Sequence, residues 1–237
     1  FSFQEMAEYD LPALIEMIKK RDGVQKVDYA GHSQGTMMFF LAYMNNPSYL
    51  EENISHYIAL ATVPNINNAS HILIKLFKEL KVLDLIPFNN IANFPTDVGK
   101  ITTLFCGGIG EKLCDKLLSI LLGDTGRLNF NDIKNTLFLY EPGGTSRQNL
   151  KHWIQIYEAK KLLKYDYGKL ENLIKYGSIN PPAYNLKNLN NYRIPSIITL
   201  SNADLLADPN DVKEFISNIK DQSVIDLWSM DNWSHVD

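Results

Sequence analysis

The sequence predicts an α/β fold, in which part of a parallel sheet carries a mostly helical insertion. Three observations support this. Residues 1–64 alternate helix-like and strand-like runs across short connections. Residues 65–184 lose that alternation and read as helices, and it returns over 185–237. Finally, Gly31-His32-Ser33-Gln34-Gly35 sits where a strand-like run gives way to an apolar helix. The expected organisation is a core made of 1–64 with 185–237, and a helical cap or lid over 65–184.

Residues 1–20 read as a helix. Ser2 with Glu5 three residues on fits a capping box, and Leu11, Leu14, Ile15 and Ile18 form one apolar stripe. Pro12 either kinks this helix or marks its true start near Asp10, and Asp22-Gly23 ends it. The run Lys26-Val27-Asp28-Tyr29-Ala30 is strand-like, Met37 to Tyr43 is an apolar helix that Asn45-Asn46-Pro47 stops, and a strand from Tyr57 to Ala61 follows a short polar stretch. In the insertion, Leu73, Leu76, Phe77 and Leu80 form one amphipathic stripe, and Leu113, Leu117, Leu118 and Leu121 another. The Asn- and Lys-rich 172–193 reads as solvated surface. Pro195 to Leu200 is a buried-strand run. Asp208-Pro209 then starts a helix whose inner face is Val212, Phe215, Ile216 and Ile219, and Val224 to Met230 is the last strand.

Composition narrows the function classes. With 45% hydrophobic and 11% aromatic residues, the 237-residue chain has ample material for a packed core. A net charge of −4 gives no reason to propose nucleic acid as a partner. No apolar run reaches the length of a membrane span, and no signal peptide is visible. The five histidines and two cysteines show no metal-ligand spacing, and no cofactor is implied. Cys106 and Cys114 read equally as a local disulfide or as two buried thiols.

The G-x-S-x-G turn is common by composition, but strand, tight turn and helix is the context in which it makes a nucleophile elbow. Gly31 and Gly35 leave room for close backbone approach, Ser33 projects its hydroxyl, and the backbone N–H of Gln34 lies at a helix N-terminus, where an oxyanion would be stabilised. Chain order supplies the partners. Asp204 follows the Pro195–Leu200 strand and His235 follows the last strand, so serine, acid and histidine appear in the order of an α/β-hydrolase triad. Asp208 is better explained as a helix cap, His32 as a packing residue beneath the elbow, and His152 as a residue of the helical insertion.

These residues carry a family resemblance. Gly31 to Thr36 resembles the elbow of the acid lipases, the family of lysosomal acid lipase, gastric lipase and related sterol-ester hydrolases. Glu5 to Ala13, Pro142 to Ser146 with Gln148-Asn149 and His152-Trp153, Pro181 to Leu186, Asp204 to Pro209 and Asn232 to Asp237 are similar to further segments of that family. The resemblance implies a serine ester hydrolase that cleaves neutral lipid esters through an acyl-enzyme. It would work at a lipid–water interface or a lipoprotein or droplet surface, in the lysosome or outside the cell. It also makes a Cys106–Cys114 disulfide plausible. N-x-S/T sequons at Asn53, Asn68 and Asn232 fit a secretory route, although a glycan on Asn232 would obstruct His235. The alternatives are a carboxylesterase or thioesterase acting on smaller esters, and a catalytically inactive lipid-binding protein. Relatives carry several strands, and a His-Gly loop giving a second oxyanion N–H, ahead of the first helix seen here. The chain is therefore expected to be part of a longer protein and poorly active alone.

Overall fold

A computed structural model describes residues 1–69, 89–91, 105–106, 108–114, 116 and 143–236. The chain opens on a short helix α1 (Phe3–Glu5), a π-helical turn (Met6–Asp10) and α2 (Leu11–Asp22). The capping box forms, with the Glu5 carboxylate taking the Ser2 N–H at 2.6 Å. Pro12 resolves as a change of helix type. Its ring cannot donate to the preceding turn, and the chain winds as a π turn just ahead of it before resuming as α-helix. Leu11 and Ile15 are buried, but Leu14 is exposed, contrary to the expected stripe. It lies about 60° round the helix from Leu11, on the flank away from Ile15, and the contact with the core is too narrow to include it. Gly23, at φ 67°, closes the helix by donating to the Lys19 carbonyl.

Strand β1 (Val27–His32) leads into α3 (Gln34–Asn45), and α4 (Pro47–Asn53) leads into β2 (Ile54–Leu60). The polar stretch expected before β2 is thus a helix. Asn46 accepts from the Tyr49 N–H as its N-cap, and Pro47 takes the first-turn position. Beyond 69, a two-residue pairing joins β3 (Asn90–Ile91) to β4 (Thr145–Ser146), followed by α5 (Arg147–Ala159) and α6 (Lys169–Tyr176). The core resumes with β5 (Ser196–Ser201), α7 (Pro209–Ile216) and β6 (Ile225–Met230). The four core strands form one parallel sheet in the order β1-β2-β5-β6.

The main core lies between this sheet and the helices. Phe39 stacks on Tyr57 at its centre, Phe40 meets Tyr57 edge-on and packs on Phe215, and Val212, Phe215, Ile216 and Ile219 are all buried as the sequence predicts. Residues 172–193 are mostly exposed, as their composition suggests, but with buried exceptions. Asn172, Leu189 and Tyr192 are buried, and Asn172 accepts from the Tyr167 N–H while donating to Asp166 and the Ile179 carbonyl. A polar side chain whose hydrogen bonds are all satisfied can be buried, and composition alone does not reveal that. Cys106 and Cys114 are joined in a disulfide. Leu113 beside it is exposed, because Cys114 takes the inward position of that turn. Leu73, Leu76, Phe77, Leu80, Leu117, Leu118 and Leu121 lie outside the described residues. Among the described residues no helix is long and apolar enough to cross a membrane.

Candidate active site

Ser33 sits between β1 and α3 at φ 53°, ψ −119°, a region L-residues seldom occupy. Both sides of the turn hold it there. Its N–H donates to the Leu60 carbonyl at 3.0 Å, and its carbonyl accepts from the Thr36 hydroxyl at 2.6 Å. Thr36 in turn accepts from the Val63 N–H, and its own carbonyl accepts from Tyr57. The close backbone approach is concentrated at Gly31, where a Cβ would lie 2.8 Å from the Gly35 carbonyl carbon. At Gly35 a Cβ would meet only the Tyr29 hydroxyl, at an ordinary 3.6 Å. Tyr29 also donates to the Gly35 carbonyl, a contact with no sequence signature.

The loops after β5 and β6 bring Asp204 and His235 to this turn. His235 Nε2 lies 2.6 Å from Ser33 Oγ, and its Nδ1 lies 2.8 Å from Asp204 Oδ2. The other Asp204 oxygen accepts from the Leu206 and Ala207 N–H groups at 2.9 and 2.8 Å. Three N–H donors therefore fix the carboxylate. Asp204 and His235 are both buried, so the imidazole and the carboxylate act on one another through little water. Asp208 accepts from the Asn210 N–H at the start of α7, as expected of a cap.

Two histidines differ in detail from the sequence reading. His32 does not pack beneath the elbow. It is exposed, as alternation along β1 dictates, and its Nε2 donates to the His235 carbonyl at 2.8 Å. His152 is on α5 as expected but is fully buried. It stacks on Phe3 at 4.1 Å, and its ring nitrogens meet Ser2 Oγ and the Leu163 carbonyl. Burial pushes its pKa down to about 4.

A cavity of about 200 Å³ borders the His235–Asp204 pair, lined in part by His32, Leu60, Leu200, Met230 and Trp233. A larger hollow of about 820 Å³ between Phe1, α5 and α6 contains none of the three site residues. Among the described residues no group of His, Cys, Asp and Glu side chains could hold a metal.

This arrangement, on this sheet, can be compared with known proteins. No protein-family model matches the chain. Human gastric triacylglycerol lipase is 36% identical over 217 residues, covering 90% of this chain and 53% of the lipase. Lysosomal acid lipase/cholesteryl ester hydrolase of Macaca fascicularis is 31% identical over 242 residues, covering all of this chain and 59% of its own length. The chain is a homologue of the acid lipases. It spans roughly half to three-fifths of the length of these curated relatives. The α/β-hydrolase fold expected for an acid lipase homologue is also seen against solved structures. A monoacylglycerol lipase of Paleococcus ferrophilus superposes with a TM-score of 0.51 at 13% identity, over 98% of this chain and 66% of its own. An esterase from Exiguobacterium antarcticum gives 0.50 at 14% identity, over 99% and 67%. At those identities the likeness is one of fold.

Of the sequons in this homologue, Asn53 is buried with its amide donating to the Tyr49 carbonyl, Asn68 donates to the Asp211 carboxylate, and Asn232 is exposed. Sequence reasoning overlooked the partners of Gln34. Its side-chain oxygen accepts from Asn149 at 2.7 Å and from Trp153 at 2.9 Å. The available signal was the pairing of Asn149 with Trp153 four residues on, which places both on one face of a helix.

Proposed function

We propose that Ser33 is the nucleophile of a carboxylic ester hydrolase, with His235 as its base and Asp204 as the group that orients His235. The observation that carries this reading is the position of His235, with one ring nitrogen on Ser33 Oγ and the other on Asp204. His235 Nε2 would accept the hydroxyl proton as Oγ attacks the ester carbonyl. The Asp204 carboxylate, accepting from Nδ1–H, would fix the tautomer and stabilise the imidazolium. The oxygen of the tetrahedral intermediate would turn to the N–H of Gln34, which as the first residue of α3 lies outside that helix's own hydrogen-bond ladder. His235 would then protonate the departing alcohol, leaving an acyl-enzyme. Water activated by the same imidazole would hydrolyse it and restore Ser33.

The proposed substrates are neutral lipid esters, triacylglycerols or sterol esters, met at a lipid–water interface in the lysosome or outside the cell. The relatives' names, gastric triacylglycerol lipase and lysosomal acid lipase/cholesteryl ester hydrolase, support this choice. The test is labelling with a fluorophosphonate together with turnover of esters of graded acyl length. The expected result is labelling lost in Ser33→Ala, with faster turnover of long-chain than of short-chain esters. Labelling that survives Ser33→Ala overturns the nucleophile assignment. A preference for short chains would move the substrate to small esters while leaving the mechanism in place.

A further inference from the structure

The motif Gln148-Asn149 with His152-Trp153 lies far from Ser33 in sequence, and the chemistry above makes no use of it. We propose that Asn149 and Trp153 are positioning residues for the oxyanion-binding N–H of Gln34, so that helix α5 holds the oxyanion hole in register. This rests on the reading of Ser33 as nucleophile.

The geometry is specific. Trp153 Nε1 can only donate, so the Gln34 amide must present its oxygen to it. Asn149 Nδ2 donates to the same oxygen, and the two donors together fix the amide's orientation. The Gln34 nitrogen faces the sulfur of Met6 in the π turn at 3.5 Å. These side-chain contacts all lie on α5 and the π turn, away from Ser33, Asp204 and His235. The side chain thus anchors a residue whose backbone does the work. Ser33 N–H is tied to Leu60, Gln34 is tied through its side chain to α5, and the peptide between them cannot rotate freely.

The clamp is itself braced. Asn149 Oδ1 accepts from the Phe3 N–H at 2.8 Å, and its second Nδ2 hydrogen reaches Thr145 Oγ1 at 3.1 Å, so the amide is fully used. Trp153 packs on Phe3 with ring centroids 4.7 Å apart. A donor set this complete, half-buried around the buried Asn149, has discrete positions, and loosening one member lets the Gln34 peptide swing out of line.

The test compares three variants of the protein on one soluble ester. Trp153→Phe keeps the ring on Phe3 and removes the donor. Asn149→Asp keeps the acceptor for Phe3 N–H and removes the other donor. Gln155→Ala serves as the control on the same helix, breaking two contacts between α5 and Asp166 that do not reach Gln34. Removing an oxyanion donor outright costs about 10²–10³ in kcat, so displacing one is expected to cost roughly 10-fold. The expected result is that fall in kcat for Trp153→Phe and Asn149→Asp, with KM within about twofold and matching slower fluorophosphonate labelling, while Gln155→Ala keeps its kcat. A rise in KM at unchanged kcat, unchanged kinetics in both clamp variants, or an equal kcat loss in Gln155→Ala overturns the clamp and leaves the nucleophile assignment standing. Turnover and labelling that persist in Ser33→Ala overturn both.

Discussion

Ser33 adopts a backbone conformation that its own side chain opposes, and this can be measured apart from catalysis. At φ 53° a Cβ is strained by roughly 1–3 kcal/mol, and glycine is not. Ser33→Gly is therefore expected to be more stable than Ser33→Ala by about 1 kcal/mol after the extra chain entropy of glycine, read from urea unfolding of the two variants. Equal midpoints would mean that the turn stores no strain. The two elbow glycines should also separate. Gly31→Ala forces a Cβ onto the Gly35 backbone and is expected to lose about 1–3 kcal/mol. Gly35→Ala, within α3 and with ordinary clearance, should be neutral or gain up to about 1 kcal/mol. The sequence shows the motif but not this asymmetry, which depends on which backbone approaches which. It likewise brings Ser33, Asp204 and His235 into view through chain order. The roles of Tyr29 and His32 depend on contacts between side chain and backbone that leave no pattern in the sequence, and that of Gln34 on side chains more than a hundred residues away.

Elements announced by periodicity and caps are where reading the sequence worked best. Helix α7 has its cap at Asp208, its proline at the first position and Val212, Phe215 and Ile216 inward as the pattern predicts, while Ile219 is buried just past its end. Helix α4 escaped notice because seven residues give too little periodicity, although Asn46 and Pro47 signalled its start. Helix α5 is the element with the sharpest testable property. His152 joins it to the chain's first turn, next to Glu5, Tyr165 and Ser2, and is buried with a pKa of about 4 against an ordinary 6.5. Between those two values the unfolded chain binds the proton and the folded chain does not, so stability rises with pH there and falls on acidification, by up to about 1.4 kcal/mol per pH unit. Glu5 acts in the same direction at lower pH. Burial raises its pKa, but hydrogen bonds from Tyr167 and Ser2 outweigh this and hold it below the ordinary carboxylate value. Urea midpoints are therefore expected to drop from pH 6.5 to pH 4 (a window set by the His152 values). Replacing His152 with Gln should lower stability at pH 7 and flatten that slope. An unchanged slope would show that His152 does not titrate in this range.

At the scale of the whole molecule, the decisive feature is the sheet. Local sequence reading counted its strands, but the order β1-β2-β5-β6 comes from pairings between distant segments, which no window of sequence contains. Among the described residues, that order places the strand ahead of Ser33 at an edge. Among the described residues β1 is hydrogen-bonded to β2 alone, whereas β2 and β5 are bonded on both sides. In a parallel strand successive N–H groups point to opposite sides, so a strand paired on one side leaves alternate amides unprotected. An unpaired edge also invites another strand to add to it. Hydrogen exchange on the 237-residue chain is therefore expected to show continuous protection along Tyr57–Ala59 and Ile197–Ile198, and protection at alternate residues along Val27–His32. The same measurement on longer forms of the protein, or at rising concentration, reads out whatever covers that edge. Continuous protection of β1 in the isolated chain at low concentration would mean that a strand already pairs there. Among the described residues, Ser33 therefore follows a strand that is hydrogen-bonded to β2 alone, with Val27 and Tyr29 packed against the core. The bracing of Gln34 from α5 then matters more, since that helix supports the elbow from outside the sheet.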